Sequence, residues 1–207
     1  RPKIETSYIG ANTPKILNDE EENSLKKSFN ITDEFIVCIV GRIEEAKGQH
    51  IVLQAVESLR KSGIKIKTLV VGHYMDENYF NNLKNNYPND IFTGFVSNPT
   101  DFMQISDCVV LATKKETFGL VLVEAMKCGV CVLGSNSGGP LEIIDDEKTG
   151  LLFESMNSDS LCEKLSFIIQ NKELKETLAL NGKIKANKFF DSKKQFEEIK
   201  ELLNKDL

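Results

Sequence analysis

The chain has 207 residues, of which 41% are hydrophobic and 28% are charged, a balance typical of a folded globular protein. The 26 Lys and Arg against 31 Asp and Glu give a formal charge of −5, which argues against bulk binding to nucleic acid or to an anionic membrane. No apolar run approaches the roughly 20 residues of a membrane span, and no signal segment is recognisable. Because the chain begins with Arg and not Met, we interpret it as a processed or excised piece.

Short apolar runs alternate with segments of helical periodicity from residue 34 onward. Before that point, residues 1–33 predict an extended segment and one short helix around residues 20–29. A continuous apolar, β-branched run predicts a strand buried on both faces at residues 34–41. Further strands are predicted at residues 65–72, 90–96, 108–113, 130–135 and 149–154. The segments between them predict helices at residues 47–63, 76–88, 98–106, 118–129 and 138–145. Residues 158–207 predict helices only, the last with an apolar stripe of Phe196, Ile199, Leu202 and Leu203.

Strands that alternate with helices in units this short imply a parallel sheet covered on both faces. The predicted fold class is therefore α/β: a doubly wound, mainly parallel, six-stranded Rossmann-like sheet with helices on both faces and a C-terminal helical tail. We expect a leading segment at residues 1–33, a Rossmann-like core at residues 34–157 and C-terminal helices at residues 158–207.

The cysteines are interpreted as buried, reduced thiols of a cytosolic protein. They are Cys38, Cys108, Cys128, Cys131 and Cys162. Cys128 and Cys131 form a C-x-x-C, but Cys128 ends a predicted helix with Gly129 as its cap, whereas a redox thiolate needs a helix N-terminus. Of the further zinc ligands only His50 and His73 remain, and neither has ligand-like spacing. Metal and redox roles are therefore not expected.

In such a sheet the ligand binds beyond the carboxyl ends of the strands, so four strand-to-helix loops form the expected crevice. These loops are residues 41–48, 72–77, 112–119 and 134–140. The first offers Arg42 and Lys47 just before a helix N-terminus, where N–H groups and the helix dipole favour an anion. It is not a phosphate-binding P-loop, since Ala46 stands at the second Gly position, and no G-x-G-x-x-G supports a dinucleotide dehydrogenase. A solvated turn with surface charges is the alternative.

Loop 134–140 is a second candidate anion cradle. Ser137 is expected to cap the following helix, and Gly138 and Gly139 allow backbone amides to approach a ligand closely. A Gly-Pro turn with an ordinary N-terminal cap is the alternative.

The stretch "ETFGLVLVEAMKCG" carries two glutamates, Glu116 and Glu124. Residues 117–120 are expected to form the first helical turn, with Glu124 two turns further in. Ideal helix geometry then separates the carboxylates by about 12 Å and about 80° in direction, which favours two separate hydrogen-bond acceptors over an acid–base pair. A nucleotide sugar, with hydroxyls at both ends and phosphates between, matches this arrangement. The alternatives are a buried ion pair with a lysine for Glu124 and an exposed helix-start acid for Glu116.

Taken in order, "VGRIEEAKG", "GFV", "ETFGLVLVEAMKCG" and "GSNSGGPLEIIDDEKTGLLF" resemble the donor-binding half of retaining glycosyltransferases of family 4, which have the two-domain GT-B fold. The resemblance extends roughly from Tyr8 to Phe153 and includes the helical tail. "SYIGANT" is similar to the segment that follows the interdomain linker, and the last helix is similar to the one that crosses back to an N-terminal domain absent from this sequence.

The resemblance implies roles for individual residues. Arg42 and Lys47 would grip the donor diphosphate and stabilise the leaving nucleotide. Glu116 would contact the donor-sugar hydroxyls near the reacting carbon, and these three are the expected catalytic residues. Glu124 would accept the ribose hydroxyls, and the backbone of Val96 would meet the base. The expected donor-binding set is Gly41, Arg42, Lys47, Val96, Glu116, Thr117, Phe118, Gly119, Leu120, Glu124, Ser137 and Gly138.

The resemblance also implies the ligands and partners. The donor would be a UDP- or GDP-sugar, with no cofactor and no bound metal, because cations and helix N-termini stabilise the phosphate charge. The acceptor would be a glycan, a lipid-linked glycan or a protein bound through the absent domain, with no role for nucleic acid. The expected location is cytoplasmic with at most peripheral membrane contact, and this half alone is expected to be nearly inactive.

Three other interpretations stay open. A non-catalytic nucleotide-sugar-binding module predicts nucleotide binding without transfer, even when a complete first domain is supplied. A GT-B-type sugar epimerase predicts release of UDP without an acceptor. A Rossmann oxidoreductase predicts binding of NAD(H).

Overall fold

The structure, a computed structural model, describes residues 9–205, with side chains as far as residue 201. Within these residues six strands form one parallel sheet. The strands are Phe35–Val40 (β1), Ile66–Val71 (β2), Ile91–Gly94 (β3), Cys108–Leu111 (β4), Cys131–Ser135 (β5) and Leu151–Phe153 (β6). The helices are Asp19–Ser28 (α1), Gln49–Lys61 (α2), Glu77–Asn86 (α3), Pro99–Gln104 (α4), Leu120–Cys128 (α5), Pro140–Ile143 (α6), Ser158–Gln170 (α7), Lys172–Phe189 (α8) and Ser192–Lys205 (α9), with a 3-10 turn at Glu45–Lys47.

The strands lie in the order β3-β2-β1-β4-β5-β6, and every neighbouring pair is parallel. The chain therefore moves outward from β1 to β3 and then crosses back, so that β4 lies on the other side of β1. This reversal is the topological switch point of a doubly wound sheet, so the expected crevice lies beyond the carboxyl ends of β1 and β4.

The side chains of each strand alternate between two apolar clusters, one on each face of the sheet. In β1, Val37 and Ile39 join the cluster that includes residues of α2 and α7, while Ile36 and Cys38 join the cluster that includes residues of α4 and α5. Because helices cover both faces, a strand can be apolar along its whole length. The predicted fold class is confirmed: the apolar runs are strands of a doubly wound sheet.

Helix boundaries follow local capping chemistry. At the start of α1, Asn18 Oδ1 accepts a hydrogen bond from the Glu21 backbone N–H (3.0 Å), and Glu21 Oε2 accepts one from the Asn18 N–H (3.0 Å). At the starts of α3 and α7, the side chains of Asp76 and Asn157 accept hydrogen bonds from backbone N–H groups, and neither start shows, among the described residues, the reciprocal bond seen at α1. Gly129, with φ of +83°, ends α5 in the left-handed conformation, as the sequence predicted.

The C-terminal helix α9 exposes Phe196 and Ile199. The other members of the predicted stripe, Leu202 and Leu203, lie outside the described side chains, and Tyr8 lies outside the described residues. Within residues 9–205, no helix combines the length and the apolar character that crossing a membrane requires.

Candidate functional site

The switch point brings loop 41–48 directly against loop 112–119. The Lys114 backbone N–H donates to Ala46 O (3.1 Å), which joins the two loops. Gly48, at φ of +72°, immediately precedes α2, and a Cβ at this position would lie 2.3 Å from Ala112 O. Only glycine fits there, because both the backbone conformation and the space exclude a side chain. The N-terminus of α2 is therefore fixed against the carboxyl end of β4.

Of the two cations predicted on loop 41–48, Lys47 points to the predicted glutamate. Lys47 Nζ lies 3.3 Å from Glu116 Oε2, and the two side chains are 28% and 15% exposed. Arg42 is 63% exposed, and its guanidinium lies 3.3 Å from Glu44 Oε1. The structure thus brings Lys47 and Glu116 together across the switch point and leaves Arg42 at the rim of the crevice.

The predicted first turn of α5, residues 117–120, is wrong. Residues 117–119 lie before the helix, which begins at Leu120, because Gly119 takes the left-handed conformation (φ +99°) that an α-helix cannot contain. The separation of about 12 Å and about 80° predicted for Glu116 and Glu124 assumed continuous helix, so it does not apply to residues 116–119. Within the described chain, the Leu120 and Val121 N–H groups donate to no protein acceptor, as at other helix N-termini.

Two glycines of loop 134–140 hold the Glu116 loop in place. The Gly139 N–H donates to Glu116 O (2.9 Å). A Cβ on Gly138 would lie 2.2 Å from Glu116 O, and a Cβ on Gly139 would lie 2.0 Å from Phe118 O. The close approach that these glycines permit is therefore an approach to the neighbouring loop of the same chain.

The prediction that Ser137 caps α6 is wrong. The residue that precedes α6 is Gly139, with no side-chain cap, and Ser137 lies two residues further back. The Ser137 N–H donates to Ser135 O (2.8 Å), which folds the loop into a tight turn before the helix begins.

Glu124 lies half-buried in α5, one turn after the helix begins. Burial raises the pKa of its carboxyl group above the ordinary value of 4.5. In the part of the chain that the structure describes, the Glu124 carboxylate has no hydrogen bond and no ion pair, so the predicted alternative of a pair with lysine has no support there. A desolvated carboxylate without a protein partner is a ready acceptor for ligand hydroxyls.

The remaining predicted residues lie along the same edge of the sheet. Gly41 follows β1 with φ of +151° and has open space where a side chain would be. Val96 follows the edge strand β3, two strands from β1, and is partly buried. At about 4.8 Å per strand, this places Val96 roughly 10 Å from the switch point along the crevice.

Two polar residues of the predicted crevice loops were not singled out by the sequence analysis. Ser135 Oγ donates to Thr113 O (3.1 Å), which joins the carboxyl ends of β5 and β4. Thr113 is 3% exposed, and its Oγ1 has no hydrogen-bond partner among the described residues. A signal was available, since each is the single hydroxyl at the end of an otherwise apolar strand, "CVVLAT" and "VCVLGS".

The cysteine thiols are held in their protonated form. Cys38, Cys108 and Cys131 are buried, and Cys128 is half-buried. Burial raises the pKa of Cys38, Cys128 and Cys131 to about 12, so thiolate is scarce at neutral pH. Among residues 9–205 no three His, Cys, Asp or Glu side chains are grouped so as to hold a metal ion.

Proteins of similar sequence and structure indicate the family to which this sheet and its loops belong. The family model for glycosyl transferases group 1 matches residues 20–185. A capsular polysaccharide biosynthesis glycosyltransferase, CapM of Staphylococcus aureus, is 29% identical over 191 residues, covering 89% of this chain and 50% of that protein. HepE of Anabaena, solved in complex with UDP-glucose, has a TM-score of 0.84 at 25% identity over 91% of this chain and 54% of that one. The C-terminal domain of LpcC, a group 1 family protein of Francisella tularensis, has a TM-score of 0.76 at 25% identity over 88% of this chain and 99% of that one.

The parallel sheet and its switch-point crevice are therefore those of one half of a GT-B glycosyltransferase. The chain belongs to the glycosyl transferases group 1 family. It spans about half the length of the curated relatives it matches.

Proposed function

We propose that this chain is the donor-binding half of a retaining glycosyltransferase of family 4, and that it binds a UDP- or GDP-sugar at the switch point. One observation carries the proposal: the Lys47–Glu116 pair lies beside the N-terminus of α5, whose first N–H groups have no acceptor in residues 9–205. Cations and free N–H groups bind phosphate oxygens, and carboxylate oxygens accept sugar hydroxyls. The likeness to HepE, which binds UDP-glucose, supports this assignment.

The proposed chemistry begins with an exchange of partners. Lys47 lies 3.3 Å from Glu116 in the free chain, so an incoming diphosphate competes with Glu116 for the ammonium group. When Lys47 turns to the phosphate, the Glu116 carboxylate is released to accept hydroxyls of the donor sugar. Donor binding therefore creates both contacts at once.

Arg42 and Lys47 then stabilise the departing nucleotide as the bond between the anomeric carbon and the phosphate oxygen breaks. Arg42 is exposed at the rim, so it can swing onto the diphosphate at little cost. The acceptor hydroxyl attacks from the face that the phosphate leaves, its proton passes to the departing phosphate oxygen, and the anomeric configuration is retained. Arg42, Lys47 and Glu116 are the catalytic residues in this scheme.

The rest of the donor lies along the carboxyl edge of the sheet. The backbone of residues 117–120 and the loop at Ser137 and Gly138 meet the phosphates or the sugar. Glu124 accepts the ribose hydroxyls, and the backbone at Val96 meets the base. The roughly 10 Å between the ends of β1 and β3 leaves the base room beyond the ribose.

The whole protein would transfer a hexosyl group to a glycan, a lipid-linked glycan or a protein held by another domain, in polysaccharide, lipid-linked glycan or glycoprotein synthesis. Residues 34–157 form the donor-binding core of this proposal, with residues 1–33 and 158–207 as its connections to the rest. No metal or cofactor is required, and nucleic acid is not a partner. The proposed location is cytoplasmic, with at most peripheral contact at the inner face of a membrane.

Isothermal titration calorimetry of the 207-residue chain with UDP and GDP tests the proposal. We expect one nucleotide to bind, and Arg42→Ala and Lys47→Ala each to weaken it about 10- to 150-fold, the range for a lost hydrogen bond between charged groups. The matched control is Lys61→Ala at the far end of α2, where the side chain is 75% exposed and outside the crevice. Failure to bind either nucleotide, or equal affinity in all four proteins, contradicts the proposal.

Transfer assays separate the remaining interpretations. A complete protein that binds the nucleotide but never transfers sugar is a binding module, and one that releases UDP without an acceptor is an epimerase. Binding of NAD(H) in place of the nucleotides would indicate an oxidoreductase. Proton NMR of the first-formed product distinguishes retention from inversion.

A further inference from the structure

Lys127 is a buried lysine with no role in the proposed donor site. It lies one turn after Glu124 in α5, and its side chain is 0% exposed. Burial lowers the pKa of this ammonium group because the charge has lost its water. Lysine is almost never fully buried unless it is paired, so its partners indicate what it does.

Lys127 contacts two segments that are far apart in sequence. Its Nζ donates to Ala11 O (2.5 Å) and lies 3.9 Å from Asp191 Oδ2. Ala11 and Asp191 form a parallel β-bridge, and the Ala11 N–H donates to Phe190 O (3.1 Å). We call these two segments, residues 10–12 and 190–192, the junction.

The junction is closely packed. A Cβ on Gly10 would lie 2.5 Å from the Ser192 backbone N, and Ser192 Oγ donates to Asn12 Oδ1 (2.8 Å). Asp191 Oδ1 also accepts from the backbone N–H groups of Lys193 and Lys194 (3.0 Å each), so it caps the start of α9. Lys127 therefore holds both the bridge and the first turn of α9.

A second contact joins the junction to the other end of α5. The Phe118 ring, in the loop that carries Glu116, packs edge-on against the Phe190 ring, with centroids 5.9 Å apart and planes at 76°. The junction thus touches the chain just before α5 begins and again in its last turn. The nine residues of α5 span about 13 Å, and Glu124 lies between the two contacts.

We propose that Lys127 is a positioning residue for the donor site: it holds the junction against α5 and so fixes the helix that carries Glu124 and the loop that carries Glu116. The two segments diverge from the junction, one toward residue 9 and the other along α9. A displacement of either segment is therefore transmitted to α5. The nature of the ligand rests on the proposed function. The attachment of the junction to α5 by Lys127, which we call the clamp, rests only on the contacts of Lys127.

Hydrogen–deuterium exchange and nucleotide titration of Lys127→Met test this inference in the 207-residue chain. Methionine matches the volume of lysine, but it leaves Ala11 O and the Asp191 carboxylate without their cation, and removing one partner of a buried pair destabilises the contact. We expect the thermal midpoint to fall, and residues 10–12, 190–195 and 116–122 to exchange faster than the rest of the chain. UDP or GDP should bind about tenfold more weakly, the size of one misplaced hydrogen bond to a charged group. A merely structural lysine would lower the midpoint and leave nucleotide affinity unchanged.

Three further variants complete the design. Lys127→Arg keeps the charge and should bind nucleotide more tightly than Lys127→Met. Asp191→Asn keeps a capping side chain but removes the opposing charge, so it should show a smaller change of the same kind and serves if Lys127→Met does not fold. Lys172→Met makes the same substitution at a position that is 82% exposed and should match the wild type.

Each outcome decides the question. Unchanged exchange in the junction of Lys127→Met overturns the clamp. Faster exchange there with nucleotide affinity within twofold of wild type overturns the positioning role but leaves the proposed function intact. If the wild type binds neither nucleotide, the proposed function fails, and exchange at residues 116–122 decides whether Lys127 positions α5.

Discussion

Gly139→Ala is the sharpest test of how the donor loops are held together. Gly139 is buried with φ of −53°, a conformation that alanine adopts without strain, so the substitution acts through its methyl group alone. That methyl group would lie 2.0 Å from Phe118 O, whereas real Cβ atoms essentially never approach within 3.0 Å. The loops that carry Gly139 and Glu116 must therefore separate by at least about 1 Å.

The size of the effect follows from this displacement. Overpacking of this kind costs about 1–3 kcal/mol, which the free protein relieves by moving the loops apart. A donor that needs the original geometry must restore it on binding, so the cost appears as a weaker Kd, by about 5- to 150-fold. The 2.9 Å bond from the Gly139 N–H to Glu116 O is stretched at the same time, so the backbone next to the reacting carboxylate is no longer fixed.

Calorimetric titration with the nucleotide that binds best, together with thermal unfolding, measures both consequences. Two glycine controls separate the possible causes. Gly63→Ala introduces a left-handed alanine (φ +92°) with no atom within 4 Å, at the end of α2. Gly150→Ala places a methyl group 2.7 Å from Val132. Gly150 directly precedes β6, so it lies at the amino ends of the strands, opposite the crevice.

Both controls should lower the unfolding midpoint and leave the Kd unchanged. Gly139→Ala should lower the midpoint and weaken the Kd as well. If it unfolds like Gly150→Ala yet binds nucleotide like the wild type, the two loops do not position the donor, and the reasoning is refuted.

Two further predictions concern the acidic residues of the site. Glu124→Gln should raise the unfolding midpoint while weakening nucleotide binding about tenfold, since it removes a desolvated charge and one charged acceptor for ligand hydroxyls. Because the folded-state pKa of Glu124 is raised, wild-type stability falls as the pH rises from the unfolded value of 4.5 through the folded value. Calorimetry should therefore find that Glu124→Gln raises the unfolding midpoint more at about pH 8 than at about pH 4. An equal rise at both pH values would contradict this. The Lys47–Glu116 pair is partly exposed, so a double-mutant cycle of Lys47→Met and Glu116→Gln in urea should give only about 0.2–1 kcal/mol of coupling. A coupling of several kcal/mol would instead make the pair structural.

Much of the fold was predictable because its signals are local. All six strands were identified, most directly β1, since a strand buried on both faces has no polar side to display. Gly129 was recognised as the end of α5 because a left-handed helix cap favours glycine wherever it occurs. The list of crevice loops followed from the rule that parallel strands end at one edge.

The errors arose where a contact between loops overrides local preference. Nothing in residues 117–120 alone indicates that Gly119 is left-handed and delays the helix to Leu120. Ser137 is an excellent capping residue by type, but its N–H turns back to Ser135 O and the helix starts later. The glycines of loop 134–140 were interpreted as allowing backbone amides to approach a ligand, and nothing in the sequence indicated that they also allow this loop to approach the Glu116 backbone.

The sequence by itself determined the element types, the parallel sheet and the set of residues at its carboxyl edge, because periodicity and capping depend on neighbours a few residues away. Only the tertiary structure decided which loops meet. The strand order places β1 beside β4, and this brings Lys47 within 3.3 Å of a glutamate 69 residues away. The same folding buries Lys127 against Ala11 and Asp191, partners 116 and 64 residues distant in the chain. Such pairings depend on the packing of whole elements, which leaves no periodic trace in the sequence.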